Sequence, residues 1–322
     1  MMIEEILPNL YRMEIPLPDS PLRALNSYVI KALDRNLIID TGWNRQECMN
    51  AMQAGLRMLS VDLRKTDFFI THGHGDHLGL VPDLAPDTST IYFNQPDADW
   101  LKNAARWNAV IDFARVNGFP ESELKGMPKG PFNYNLPFTI LGEGDALRIG
   151  EYQFTCVETP GHTQGHMCLY DPNKRVLVAG DHILNDITPN ITSWSHERNP
   201  LKEYLASLDK VYEYDVALVL PGHRGIFRRS RQRIQELKQH HQQRAEEVLS
   251  ILKNGRRNAF QVASQMSWDI IYDSWDLFPL MQKWFATGEA IAHLNYLEEK
   301  GMVRREMLGE NTVFSVNKNP SC

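Results

Sequence analysis

The stretch Thr71-His72-Gly73-His74-Gly75-Asp76-His77-Leu78-Gly79 places three imidazoles and one carboxylate between positions 72 and 77, directly after the apolar run Asp67-Phe68-Phe69-Ile70. A short apolar run that ends in a glycine-rich turn reads as a buried strand feeding a loop. Imidazoles crowded onto one turn repel one another when protonated and are costly to bury unpaired when neutral. A divalent cation satisfies their lone pairs together, so the turn reads as part of a metal site.

Farther along the chain, three more candidates each follow a short apolar run and a glycine: His162 in Thr159-Pro160-Gly161-His162-Thr163, Asp181 in Ala179-Gly180-Asp181-His182, and His223 in Leu220-Pro221-Gly222-His223. Each is expected to project from the edge of a sheet. With the first cluster they supply His72, His74, His77, His162 and His223 together with Asp76 and Asp181. That is enough for two metal sites that each keep a position for water.

Around these positions short strand-like runs alternate with helical stretches. NLYRMEI, NSYVIKAL and NLIIDTG precede a helical segment near Arg45–Leu59, and STIYF, PFTIL, DALRIG, YQFTCVET, MCLYD, RVLVAGD and VALVLPGH follow. Strands interspersed with helices, rather than segregated from them, predict an α/β (α+β) chain with sheets packed face to face and helices outside. Residues 97–137 differ in texture. ADWLKNAARWNAVIDFARVNG carries Trp100, Ala104, Trp107, Ile111 and Ala114 at helical spacing, and a Pro/Gly-rich passage follows, so this region reads as an inserted helical element. Its aromatic stripe is expected to face a core, with a lid over an apolar pocket as the sharper alternative.

From about Arg229 the chain reads as one long polar helix ending at Gly255, then shorter helices. Gly288 to Lys300 places Ala290, Ile291, Leu294 and Leu297 on one face, and MVRREMLGENTVFSV reads as a hairpin turning at Gly309-Glu310-Asn311. The predicted organisation is a catalytic domain over 1–228 and a small, mainly helical winged-helix-like domain over 229–322.

The composition, 43% hydrophobic and 23% charged over 322 residues, is that of an ordinary globular protein, and the net charge of −6 gives no global pull toward nucleic acid or anionic lipid. No apolar run approaches the ~18 residues of a membrane span, and the opening MMIEEILPNLYRMEI lacks the basic flank and apolar stretch of a signal peptide. The expectation is a cytoplasmic protein with no membrane partner. Cys48, Cys156, Cys168 and Cys322 are scattered, with no metal-binding or disulfide-like pairing, and read as free thiols.

The H-x-H-x-D-H run followed by His162, Asp181 and His223 in that order resembles the metallo-β-lactamase superfamily over about Leu7 to Phe227. The resemblance implies an αββα sandwich with the metals at one edge of the sheets. It implies a first metal on His72, His74 and His162, a second on Asp76, His77 and His223, and Asp181 bridging them. Asp40, in Ile38-Ile39-Asp40-Thr41-Gly42, matches the family's early strand-end aspartate and would orient a ligand. His166 matches a family histidine expected to be structural.

Two such cations, most simply zinc but with iron or manganese also suited to the donors, would lower the pKa of a shared water far enough to supply hydroxide near neutral pH. Asp76 is the expected catalytic residue, orienting that hydroxide and accepting its proton. Gly75 stands where the family's flavodiiron oxidoreductases carry a glutamate ligand, and Asp181 where one branch of true β-lactamases carries cysteine. Redox and lactam chemistry are therefore disfavoured. His182 is expected near the site, in a substrate or proton-transfer role if any, whereas His240 and His241 read as solvated.

Gly288–Val303, with Gly180-Asp181-His182-Ile183-Leu184 and Thr188-Pro189-Asn190-Ile191, resembles a branch with an appended winged-helix domain that includes thioester hydrolases and a ribonuclease-like group. The leading expectation is hydrolysis of a carboxylic ester, thioester or lactone, with a small acyl substrate enclosed by the aromatic stretch from Trp100 to Phe119. The alternative is a metal-dependent endoribonuclease acting on single-stranded RNA, with the run Arg228, Arg229, Arg231 and Arg233 meeting phosphate. Glu289, Glu298 and Glu299 against Lys300 make a poor nucleic-acid reader, so the small domain is expected to pack on the catalytic domain or on a second subunit of a homodimer.

Overall fold

The computed structural model describes residues 2–103, 105–127, 136–269 and 272–317; Ala104 and Cys322 fall outside these residues. The chain divides into two compact units, one of 1–102, 132–189 and 207–234 and the other of 103–131, 190–206 and 235–322.

In the first unit, strands β1 (Ile3–Leu7), β2 (Leu10–Pro16), β3 (Ala24–Ile30), β4 (Asn36–Ile39), β5 (Thr66–Phe69), β6 (Ile91–Phe93) and β7 (Phe138–Ile140) form one sheet in sequence order. Its first pairings are antiparallel meanders, and those from β4 to β7 are parallel. A second sheet has the order β12 (Leu218–Pro221), β11 (Val176–Gly180), β10 (Met167–Asp171), β9 (Tyr152–Glu158) and β8 (Ala146–Ile149), with β11 and β12 parallel and the rest antiparallel. Helices α1 (Gln46–Met58), α2 (Gly75–Leu78), α3 (Val81–Leu84), α4 (Gln95–Lys102), α5 (Ala105–Val116), α6 (Glu121–Leu124), α7 (Pro200–Tyr212), α8 (Ser230–Lys253), α9 (Ala259–Ala263) and α10 (Leu280–Glu299) complete the chain with the hairpin β13 (Val303–Leu308) and β14 (Asn311–Val316).

The two larger sheets meet face to face because alternate residues of each are apolar. Leu10, Tyr28, Ile30, Leu37, Ile39 and Phe69 of the first pack on Phe154, Cys156, Leu169, Val178 and Leu220 of the second in one buried cluster. Each large apolar side chain removed from water there contributes roughly 1.5–3 kcal/mol before the entropy of ordering it is subtracted. The other face of the first sheet is covered by α1, whose Cys48, Met52, Gly55 and Leu56 recur at helical spacing and join Met13, Ile38 and Phe68. On the second sheet, α7 is tied to the end of β9, with Lys210 Nζ donating to Glu158 O at 2.7 Å and Ser207 Oγ to Pro160 O at 2.8 Å.

In the second unit, the C-terminal part of α8, α9, α10 and the hairpin share a core of Val248, Ile251, Leu252, Val262, Ile291, Leu294, Val303 and Phe314. The hairpin turns at Gly309-Glu310, Gly309 taking a φ of +63°, as the sequence predicts. The C-terminal helix begins at Leu280, earlier than the expected Gly288, because Trp284 and Ala286 are buried and extend its packed face. Of the aromatic stripe, Trp107 packs within this unit, whereas Trp100 belongs to the first. Trp107 lies against Trp284 with centroids 5.8 Å apart, and Trp194 stacks on the same ring at 3.7 Å. Strand β1 and helix α7 add to the elements expected from the sequence, although α7 places Leu201, Tyr204, Leu208 and Val211 at helical spacing on its buried face.

His241 is buried, contrary to the solvated position expected of it. Its Nδ1 lies 3.3 Å from His293 Nε2, and burial, with the His293 ring, holds it well below the usual histidine range. A polar helix still turns one face inward, and position 241 falls on that face.

Candidate metal centre

The site is assembled at strand ends. Asp40 follows β4, Thr71 and His72 follow β5, Asn94 follows β6, His162 follows β9, Asp181 follows β11 and His223 follows β12. Strands β4, β5 and β6 are mutually parallel, and β9, β11 and β12 share one direction, so these carboxyl ends gather at one edge of the sandwich. A strand end is where side chains can leave the sheet while their backbone remains anchored.

All seven residues expected to bind metal are brought together. His74 Nδ1 lies 3.0 Å from both His72 Nε2 and His162 Nε2. His223 Nε2 lies 3.4 Å from Asp76 Oδ2 and 3.4 Å from Asp181 Oδ2, and His77 Nε2 lies 3.6 Å from Asp181 Oδ1. His162 Nε2 is 3.6 Å from Asp181 Oδ2, so that carboxylate faces both groups. Three triads could each hold an ion: His72, His74 and His162; Asp76, His77 and His223; and His72, His77 and Asp181.

Several observations test whether cations fit. Tetrahedral coordination with bonds of ~2.0–2.1 Å places ligand atoms ~3.3 Å apart, close to the separations seen. The buried atoms His77 Nε2, Asp181 Oδ1 and His223 Nε2 have no hydrogen-bond partner, which in a buried site costs ~1–3 kcal/mol each unless something else satisfies them. The opposite ring nitrogens are already engaged. His77 Nδ1 meets Asp40 Oδ2 at 2.7 Å and His223 Nδ1 meets Ala24 O at 2.8 Å, which leaves each Nε2 as the free lone pair. Glycine supplies the room, since a Cβ on Gly222 would lie 2.5 Å from Asp181 Oδ1 and 2.8 Å from His77 Cε1.

The electrostatics agree. Burial alone would raise the carboxyls of Asp76 and Asp181, yet the imidazoles of His77 and His223 outweigh it and hold both well below the usual range. Burial alone would lower the two histidines, yet the carboxylates outweigh it: His77 stands well above its usual value beside Asp40, Asp181 and Asp76, and His223 is raised to about 10. The cavity therefore demands positive charge, from protons on these rings or from cations in their place.

Asp40 is fixed as the sequence suggests. Its Oδ1 accepts Thr71 N–H at 2.9 Å, while its Oδ2 accepts Thr71 Oγ–H at 2.8 Å besides meeting His77. Its backbone takes a φ of +57°, a left-handed conformation that aspartate tolerates better than most residues. His166 is no ligand: Nδ1 meets Thr159 Oγ1 at 2.7 Å, and Nε2 accepts the Asp181 N–H at 3.1 Å. His182 is fully buried with the Ser207 backbone as a partner, and burial lowers it to about 3.

The basic run is partly spent on the fold. Arg233 donates to Leu184 O and Ile187 O, and Arg231 to Tyr212 O. Sequence reasoning missed Asp97 and Asn94. Asp97 is buried and accepts from Gly73 N–H at 2.8 Å, Thr163 Oγ–H at 2.7 Å and Gly165 N–H at 2.8 Å. Nothing in its neighbourhood, Gln95-Pro96-Asp97-Ala98, marks it out, because all of its donors lie on other segments.

The metallo-beta-lactamase superfamily model matches residues 21–223, and a metallo-beta-lactamase-like C-terminal domain model matches residues 275–315. The chain belongs to the metallo-beta-lactamase superfamily, a superfamily of metallo-hydrolases. It is 24% identical to a probable metallo-hydrolase of Bacillus subtilis over 309 residues, covering 90% of this chain and 93% of that protein. A metallo-beta-lactamase family protein from Thermus thermophilus, solved by crystallography, matches with a TM-score of 0.81 and 28% identity, covering 97% of this chain and all of the other. An atrochrysone carboxyl ACP thioesterase of Emericella nidulans is 25% identical over 225 residues, 69% of this chain and 57% of that protein. Among the described residues, no helix is long and apolar enough to cross a membrane.

Proposed function

We propose that this protein is a dinuclear, zinc-dependent hydrolase of acyl thioesters or related esters and lactones. The observation that carries the reading is the convergence of His72, His74, His162, Asp76, His77, His223 and Asp181, with the buried atoms His77 Nε2, Asp181 Oδ1 and His223 Nε2 left without a hydrogen-bond partner. Two divalent cations held there would supply an acidified water for attack on a carbonyl carbon.

The chain's own residues do the rest. Asp76 is partly open to solvent, as is His74, whereas His72, His77 and His223 are buried, so substrate approaches from the Asp76 and His74 side. Asp76 is held as a carboxylate at neutral pH, aligns the attacking water, and takes its proton for transfer to the leaving group. Asp181, steadied by His166 at its backbone N–H, keeps the two halves of the site at a fixed separation. The buried walls limit access of bulk water, which strengthens every charge interaction inside.

The choice of thioester draws on the fungal relative, whose name gives an acyl-carrier-protein thioesterase activity. RNA cleavage gains less support, because Arg231 and Arg233 are engaged with backbone carbonyls. Purified, zinc-loaded protein assayed against acyl-pantetheine thioesters, aryl esters, lactones and single-stranded RNA should hydrolyse an acyl substrate in proportion to its zinc content. Cleavage of RNA with no acyl turnover would overturn this reading in favour of a nuclease.

A further inference from the structure

We propose that Asp97 is the positioning residue that sets the three-histidine half of the metal centre, by clasping the two loops that carry its ligands. The inference rests on the metal reading of the site and not on the choice of substrate.

The three ligands come from two separate segments. His72 and His74 flank Gly73 on the loop after β5, while His162 lies just before Thr163 on the loop after β9. The 3.0 Å separation of His74 Nδ1 from His162 Nε2 therefore depends on how these loops are held against each other. Asp97 is bonded to both. Its Oδ2 accepts from Gly73 N–H and Thr163 Oγ–H, and its Oδ1 from Gly165 N–H.

The clasp is tightly built. A Cβ on Gly73 would lie 3.2 Å from Asp97 Cβ, so the first loop runs directly over the carboxylate. A Cβ on Gly165 would lie 1.6 Å from Asn94 Oδ1, and that same oxygen accepts the Asp97 N–H at 2.9 Å. Asn94 thus fixes Asp97 at the start of α4. Only a carboxylate accepts at both oxygens; the amide of an isosteric asparagine would turn an N–H₂ toward one of the donor groups.

The other half of the site is held differently. Asp40 orients His77 and Ala24 O orients His223, and neither contact involves Asp97. Loss of Asp97 should accordingly weaken the three-histidine half selectively. Partners that orient metal ligands are typically worth about 10–100-fold in metal affinity.

The test is a cobalt(II) titration of the full chain, read by the visible absorption of the bound ion and by metal content after dialysis. The unaltered protein should take up both ions. Asp97→Asn should bind the ion of the His72, His74 and His162 triad about 10–100-fold more weakly and, at limiting cobalt, show the same spectrum as His74→Ala, in which that triad is broken. Thr163→Val, which removes one of the three bonds, should show a smaller shift in the same band and guards against failure of Asp97→Asn to fold. Asp40→Asn should weaken the opposite half. Uptake of both ions by Asp97→Asn with unchanged affinity, or an equal weakening of both halves, would overturn the clasp while leaving the metal centre intact; an unaltered chain that binds no cobalt would overturn both.

Discussion

Replacing Asp40 by Asn isolates the contribution of one buried charge, because the two side chains have the same shape and both tolerate the φ of +57° found there. Asp40 satisfies Thr71 N–H, Thr71 Oγ–H and the His77 ring at 2.9, 2.8 and 2.7 Å and is only 2% exposed. An asparagine keeps one acceptor oxygen, while its N–H₂ faces a donor that can no longer be satisfied. Stranding one buried donor costs ~1–3 kcal/mol. At about 2–4 °C per kcal/mol for domains of roughly 150–250 residues, the melting temperature should fall by about 2–12 °C. Zinc affinity of the Asp76, His77 and His223 triad should fall ~10–100-fold, since His77 loses the charge that fixes its tautomer. Asp40→Ala should be worse: it strands all three donors and adds ~1–2 kcal/mol for an alanine in a left-handed conformation. Calorimetric melting of the metal-free protein and zinc competition against a chromophoric chelator measure the two effects. An Asn variant that melts within a degree of the parent and holds zinc with the same affinity would refute the argument that Asp40 orients His77.

Gly222→Ala should abolish binding of at least one ion, because its Cβ would fall 2.5 Å from Asp181 Oδ1; two ions retained per chain, measured by mass spectrometry, would contradict this. Asp76→Asn should lower turnover by ~10²–10⁴-fold in protein reloaded with zinc, and near-normal rates with full metal content would remove Asp76 from the mechanism. His77 and His223 are held protonated by the surrounding carboxylates, His223 up to about 10, so zinc uptake near pH 8 should release protons, seen as a dependence of the calorimetric heat on buffer ionisation enthalpy. For the metal-free protein the sign follows from the raised folded value: this stabilisation is complete below about 6.5, the unfolded histidine pKa, and is lost as pH rises toward about 10, so its melting temperature should fall across that window. The buried pair His241 and His293 works in the opposite direction. Burial lowers both, His293 to about 3, so stability from this pair is present above about 6.5 and declines in acid, and His293→Leu should flatten the acid limb of the melting profile.

The positions at which sequence reasoning went astray share a cause. His241 lies on a helix whose neighbours are polar, and only the packing of His293 against it shows which face is inward. Asp97 has no local signature because its partners Gly73, Thr163 and Gly165 are distant in the chain. In each case the deciding contact is between segments whose pairing the local pattern does not contain.

The sequence by itself determined the donor set and its frame. Imidazoles and carboxylates placed just after apolar runs and glycines have few outlets other than a shared cation, and alternating apolar runs dictate strands that expose those residues at their ends. Tertiary structure alone decided which ring nitrogen of His77 and of His223 faces the site, through Asp40 and Ala24 O, and how the loops are registered, through Asp97. Ligand identity is a property of side-chain chemistry, which is written locally. Ligand orientation is a property of hydrogen bonds between distant backbone segments, which exists only once the sheets have packed.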